Sequence, residues 1–312
     1  MQKRRLGAAG PEVSLVGLGT NNFGGRIDLA ASRRVVDKAL DLGVTLIDTA
    51  DIYGDKGGSE EVLGTILGPR RKTIVLATKF GLPMDDAGKL RGASRRYIMQ
   101  AVEASLRRLK TDWIDLYQLH RPDARTPIDE TLRALDDLVK AGKVRFIGCS
   151  NLSAAQLEEA QSVAGRNHIA SFICCQDECS LLERGLEKDL GPVMRKYGLS
   201  LLPYFPLASG LLSGKYHHGA PLSAGSRLAN DPPRGGDVLN ERNWRIVGAL
   251  SAFAAARGHT LLELAMSWLA SRPFIPSIIA GATTAEQVEQ NVAAVGWPLS
   301  PADLAEIDRI TL

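Results

Sequence analysis

Short apolar runs rich in Val and Ile alternate along this chain with amphipathic stretches of helical length, the pattern of βαβ units on a parallel sheet. Eight runs read as strands: residues 14–19, 44–48, 73–79, 113–120, 144–149, 171–176, 199–204 and 274–279. A helical segment follows each. Ser153 with Gln156 three residues on reads as a capping box, and Ser300-Pro301 places proline in a first helical turn. Eight strand–helix pairs without a break in composition favour a closed (β/α)8 barrel, which needs about 250 residues, over an open doubly wound sheet. The expected fold class is therefore α/β, a TIM barrel, with residues 1–312 forming one domain.

Two segments fall outside the barrel pattern. Residues 3–6 and 12–16, around Gly7-Ala8-Ala9-Gly10-Pro11, read as a β-hairpin that caps the barrel floor. After the seventh strand, residues 217–240 form a polar Gly/Pro/Ser stretch longer than a plain connection, expected to be a loop serving as a lid.

Charge and composition narrow the function classes. Thirty-eight basic and 35 acidic residues are interspersed and leave a net charge of +3, so no single-sign block is available to grip nucleic acid or an anionic membrane. Neither partner is expected, and no secretory signal or run of ~18 apolar residues is visible. A soluble cytoplasmic protein, a monomer or small homo-oligomer, fits these features. Cys149, Cys174, Cys175 and Cys179 are too few and too clustered for a disulfide framework, which suits a reducing compartment.

Familiar nucleotide and metal motifs fail. Gly210-Leu-Leu-Ser-Gly214-Lys215 has three residues between its glycines instead of four, and Tyr216 stands where a phosphate loop needs Ser or Thr. Gly17-Leu-Gly19-Thr-Asn-Asn22 lacks the third glycine of the dinucleotide fingerprint. The cysteines match no zinc spacing, and His217-His218 has no carboxylate or cysteine at ligand spacing, so no metal is expected.

Three successive predicted strands instead end in residues that a buried apolar strand has no packing reason to hold: Val-Thr-Leu-Ile-Asp48, Ile-Val-Leu-Ala-Thr-Lys79 and Leu-Tyr-Gln-Leu-His120. In a barrel these ends converge on the catalytic face. Tyr53, five residues beyond Asp48, can lean over the same mouth. A phenol is a poor acid at neutral pH, but a neighbouring ammonium favours its ionised form, a task open to Lys79. Asp48 would orient Lys79, and His120 would hydrogen-bond an incoming carbonyl oxygen or relay the proton.

These residues resemble the aldo-keto reductases over nearly the whole chain. The block from Gly43 through Asp48 to Tyr53-Gly54, followed by Ser59-Glu60-Glu61-Val-Leu-Gly64, is similar to the family's first signature; Ala77-Thr-Lys79 and Asp115-Leu-Tyr-Gln-Leu-His120 are similar to the next two. The resemblance implies a catalytic tetrad of Asp48, Tyr53, Lys79 and His120. It also implies that Ser150, Asn151 and Gln176 hold a nicotinamide carboxamide, with Thr20 nearby, while Tyr204 stacks on the ring. Phe205, Pro206, Leu207 and Ser209 would track the pyrophosphate, and Lys215 and Arg227 would hold cofactor phosphates. Gly281, Thr283, Gln287, Gln290 and Asn291 resemble the adenosine-phosphate segment of branches that use a hydroxyl residue plus Gln. NADPH is the expected cofactor, with NADH as the alternative.

A pocket above Tyr53 would be lined by residues of the loops after the strands, with Asn22, Phe23, Phe80 and Arg121 as substrate candidates. A small aldehyde, ketone or sugar is the expected substrate, since only 5% of residues are aromatic. Three alternatives compete: a redox-sensing subunit of a larger assembly, an NAD-dependent sugar dehydrogenase, and a barrel lyase using Lys79 as a Schiff-base nucleophile.

Overall fold

The computed structural model describes residues 1–222, 226–230 and 232–312. Strands β1 (Lys3–Arg5) and β2 (Glu12–Ser14) form an antiparallel hairpin, with Arg4 opposite Val13. Eight further strands follow: β3 (Val16–Gly19), β4 (Leu46–Asp48), β5 (Val75–Phe80), β6 (Ile114–Leu119), β7 (Val144–Ser150), β8 (Phe172–Glu178), β9 (Ser200–Tyr204) and β10 (Ile278–Gly281). They pair in parallel in the order β10-β3-β4-β5-β6-β7-β8-β9, alternating with helices. The last seam is joined where the Leu201 N–H donates to the Phe274 carbonyl at 2.9 Å. This is the expected (β/α)8 barrel, with its hairpin.

Local chemistry moves two strand boundaries. The run 14–19 divides at Leu15, because the Ser14 hydroxyl donates to the Val16 carbonyl at 2.7 Å and accepts the Thr45 N–H at 2.8 Å. Side-chain bonds there replace ladder bonds. The eighth barrel strand begins at Ile278, later than its apolar run, since Pro273 and Pro276 offer no N–H to a ladder. Both expected helix starts are present: Ser153 with Gln156, and Ser300 with Asp303, form reciprocal capping boxes. The expected lid, 217–240, is more than a bare loop, containing short helices Arg227–Asn230 and Pro232–Val238; its residues 223–225 and 231 lie outside the described residues.

The strand period of two sorts the barrel interior into layers. Leu46, Val75, Ala77, Leu116, Cys174, Leu202 and Ile279 form an apolar layer, sealed from below by Leu6 and Val13 of the hairpin. The hairpin sits close. Gly7 lies at φ +66°, and a Cβ there would fall 2.4 Å from the Ile173 carbonyl oxygen. The Arg4 guanidinium donates to the carbonyls of Ala270, Arg272 and Ile275 at 2.7 to 3.2 Å, tying the hairpin to the β9–β10 seam. A larger core fills the space between the barrel's outer face and the helices. Among the described residues, no helix is long and apolar enough to cross a membrane.

Candidate active site

Two residues above the apolar layer, the same alternation brings Asp48, Lys79, Gln118 and Gln176 into the barrel interior, all buried. The Lys79 ammonium donates to Asp48 Oδ1 at 2.5 Å and to the Thr49 carbonyl at 2.9 Å. Asp48 Oδ2 accepts from Gln176 at 2.9 Å and from Gln118 at 3.2 Å. The carboxylate is thus held from three strands. Burial works against the charged Lys79, but the neighbouring Asp48 carboxylate and Tyr53 phenol outweigh it, so the ammonium is held above its ordinary range.

Tyr53 meets this layer from above. Its hydroxyl lies 3.4 Å from Lys79 Nζ, which also sits 4.9 Å from the phenol ring centroid. A run of left-handed residues, Gly54, Asp55, Lys56 and Gly57, follows at φ 69°, 60°, 63° and 126° and turns the chain abruptly behind the phenol. A Cβ on Gly54 would lie 2.4 Å from the Phe23 carbonyl oxygen, so glycine is required where these loops cross.

His120 stands edge-on to Tyr53, ring centroids 5.8 Å apart and planes at 84°. Burial first, then the charges of Lys79 and Arg121, hold its pKa down at about 3. The imidazole is therefore neutral at physiological pH. Since the unfolded chain takes up this proton near the ordinary value of 6.5, stability is full above about pH 6.5 and is lost as pH falls toward about 3. Without cofactor, the urea midpoint of the parent is expected to lose ground to that of His120→Gln as pH falls from 7 to 5, while buried Asp177 acts in the opposite direction equally in both proteins. Equal slopes in both proteins would contradict the buried neutral imidazole.

A cavity of about 730 Å³ opens over this cluster, lined from the C-terminal ends of the barrel strands. Asp48, Tyr53 and His120 line it, while Lys79 lies wholly buried beneath. One wall is a polar relay: Ser150 Oγ donates to the Gln176 carbonyl at 2.7 Å and accepts from Asn151 Nδ2 at 2.8 Å. Asn151, at φ +60°, also donates to the His120 carbonyl at 3.1 Å and accepts the Tyr204 hydroxyl at 2.8 Å. Behind it, burial pushes Asp177 up to about 7. Thr20 is pinned by its hydroxyl on the Asp48 carbonyl at 2.9 Å.

The cavity continues past Phe205, Pro206, Leu207 and Ser209 to Lys215 and Arg227 on one side. The Arg227 guanidinium lies 4.8 Å from the Phe205 ring. Gly210 makes room for Lys215, whose Nζ would be 2.9 Å from a Cβ there. Gly281, Thr283, Gln287, Gln290 and Asn291, at and after the end of β10, also line the cavity. Gln287 Oε1 accepts both the Thr283 N–H at 2.8 Å and its hydroxyl at 3.2 Å, so these two side chains brace each other.

Of the expected substrate contacts, Asn22 and Arg121 line the cavity and Phe23 and Phe80 do not. Both phenylalanines are wholly buried, and Phe80 stacks on Tyr117 at 4.7 Å. Parity explains the correction for Phe80: it follows inward-pointing Lys79 and must face outward, into the packing against the helices. Several residues escaped the sequence reading. Gln118, buried beneath the cavity, had a visible signal, lying between Leu116 and His120 on the inward face of β6; the cavity-lining Asn21, Arg26, Glu178 and Ser213 had none.

A parallel barrel whose catalytic-end layer joins Asp, Lys, Tyr and His beneath a long polar cleft defines a class, and comparison of the sequence agrees. The chain belongs to the aldo/keto reductase family, whose model matches residues 15–311. It is an oxidoreductase of a family that works generally with NAD(P)H. Among its relatives is a protein of Arabidopsis thaliana named probable voltage-gated potassium channel subunit beta, 35% identical over 99% of this chain and 96% of the relative. An uncharacterized oxidoreductase of Bacillus subtilis, YrpG, is 36% identical over 95% and 91%. The L-glyceraldehyde 3-phosphate reductase of Escherichia coli is 32% identical over 99% and 92%.

Proposed function

We propose that this protein is a cytoplasmic enzyme that reduces the carbonyl of a small aldehyde, ketone or sugar with NADPH, using Tyr53 as proton donor. The observation carrying this is the Tyr53 hydroxyl 3.4 Å from a buried ammonium that is itself paired with Asp48, at the floor of a large cleft. The donor set suits a dinucleotide: the lining combines neutral amides and hydroxyls, the cations Lys215 and Arg227, and the braced Thr283–Gln287 hydroxyl–amide pair. Ser150, Asn151 and Gln176 would hold the carboxamide, and Tyr204 would lie against the ring. Phe205, Pro206, Leu207 and Ser209 would flank the pyrophosphate, near Lys215 and Arg227. Thr20, Gly281, Thr283, Gln287, Gln290 and Asn291 complete the cofactor cleft.

A nicotinamide held by Ser150, Asn151 and Gln176 would supply the hydride that the carbonyl carbon takes up. As the C=O electron pair moves onto oxygen, Tyr53 gives that oxygen its proton and the product is an alcohol. Lys79 stabilises the phenolate left behind, and Asp48 with its two glutamine donors keeps Lys79 in place. A neutral His120 can donate one hydrogen bond to the same oxygen. The lyase alternative needs an unprotonated Lys79, which the raised basicity of that amine opposes. An obligate subunit surface would expose a contiguous apolar patch. Among the described residues, the large exposed hydrophobics are Met1, Leu29 and Leu312, and the enzymatic reading is preferred on that ground.

Titration with NADPH and NADH, followed by protein fluorescence, tests the reading, with aldehydes and sugars then screened by the absorbance of the reduced nucleotide. NADPH is expected to bind more tightly and to be oxidised by at least one carbonyl. Failure of both nucleotides to bind would end the proposal.

A further inference from the structure

Strand β8 ends in two acids, and they part company: Glu178 lines the cavity and Asp177 does not. Parity accounts for the split. Gln176 and Glu178 point inward, so Asp177 between them points outward, the way Cys175 points into the apolar core beneath the helices. Asp177 is buried there, and among the described residues its Oδ2 has no hydrogen-bond partner. Its Oδ1 accepts the backbone N–H of Asn151 at 3.1 Å.

That N–H belongs to a residue on which the cleft wall depends. Asn151 sits at φ +60°, a left-handed conformation that costs most side chains and that asparagine tolerates better than most. On the cleft side, its Nδ2 donates to the His120 carbonyl and to Ser150 Oγ, and its Oδ1 accepts the Tyr204 hydroxyl. One residue is thus held from both faces of the sheet. The outer hold is the titratable one: burial raises Asp177, the Asn151 N–H lowers it, and the balance falls at about 7. No charged side chain of β7, β9 or the helix Ala154–Asn167 enters that balance; the neighbour across the ladder on β9 is Pro203. The titratable groups that share its face are thiols, Cys175 and Cys149, the latter pushed well above its ordinary range by its bond to Cys175, by burial and by Asp177.

We infer that Asp177 is a positioning residue: its carboxylate holds Asn151 in the left-handed turn that presents the asparagine side chain to the cleft, and loss of that charge weakens nucleotide binding. The inference rests on the reductase reading, which gives Asn151 the carboxamide contact, and adds a residue that lies outside the cleft. An ionised oxygen accepts a hydrogen bond about twice as strongly as a neutral one. Nucleotide affinity is therefore full above about pH 7 and declines as pH falls through it.

Affinities for NADPH and NADH, measured by protein fluorescence from pH 5.5 to 8.5 in the parent, Asp177→Asn and Asp177→Ala, test this. Titration of the nucleotide itself falls equally on all three proteins and cancels in the variant-to-parent ratio. Asp177→Asn keeps the shape and a neutral acceptor, so it is expected to bind about fivefold more weakly than the parent at pH 8.5 and equally at pH 5.5, the gap between a charge-assisted and a neutral hydrogen bond. Asp177→Ala keeps no acceptor and should bind weakly at every pH. In ligand-free protein with isotopically labelled asparagine, the Asn151 amide NMR signal should shift with a midpoint near pH 7 in the parent and stay still in Asp177→Ala. A ratio that is constant across the pH range, an Asp177→Asn variant as tight as the parent at pH 8.5, or an Asn151 signal that does not move would overturn this inference and leave the reductase reading standing. A parent that binds neither nucleotide would sink both.

Discussion

Tyr53→Phe is expected to lower kcat by at least about 100-fold, the scale of general acid catalysis, while nucleotide affinity changes little. The substitution removes one oxygen and keeps the ring that lies 5.8 Å from His120 and 4.9 Å from the Lys79 ammonium. Packing is thus preserved while the transferable proton disappears. Single-turnover mixing with saturating NADPH isolates the chemical step, because product release no longer sets the rate. A variant that reduced its carbonyl as fast as the parent would remove Tyr53 from the proton path. The phenol is expected to act on the chemical step alone, so a loss confined to KM would equally contradict the assignment.

Lys79→Met should cost more than activity. The ammonium is wholly buried and satisfies Asp48 at 2.5 Å, so its removal leaves a carboxylate in the barrel interior with only two glutamine donors. Breaking one half of such a buried pair destabilises a protein by about 3–5 kcal/mol. Turnover is expected to vanish with it, since no cation then supports the Tyr53 phenolate. The double variant Lys79→Met with Asp48→Asn discriminates between the two losses. Removing both charges should recover most of the stability in urea unfolding and none of the turnover. Recovery of turnover in the double variant would mean that the ammonium has no part in the chemistry.

How much of this was legible beforehand depended on whether a signal was local. Asp48, Lys79 and His120 announced themselves because each interrupts an apolar strand at its end, where a barrel gathers its reactive groups. Gln118 was equally available to anyone who carried the inward parity of β6 two residues further. Phe80 was misjudged for neglect of that parity, and Phe23 because nothing in the loop 20–28 marks which side chains turn inward. Arg26 reaches the cavity only because its loop rests on the left-handed turn after Tyr53, a contact between segments about 30 residues apart that no pattern within either segment encodes. The Thr283–Gln287 brace, by contrast, spans only four residues: both were singled out, but their bond to each other was not.

The hairpin that seals the barrel floor also imposes an order on assembly. Arg4 finds its acceptors at Ala270, Arg272 and Ile275, separations of up to 271 residues. A ribosome makes the stopper before the residues it clasps, and those bonds cannot close until Ala270, Arg272 and Ile275 have been synthesised. Leu6 and Val13 must therefore wait beside an unfinished cylinder whose final staves have not emerged, so a segment made before the barrel strands is among the last to find its seat.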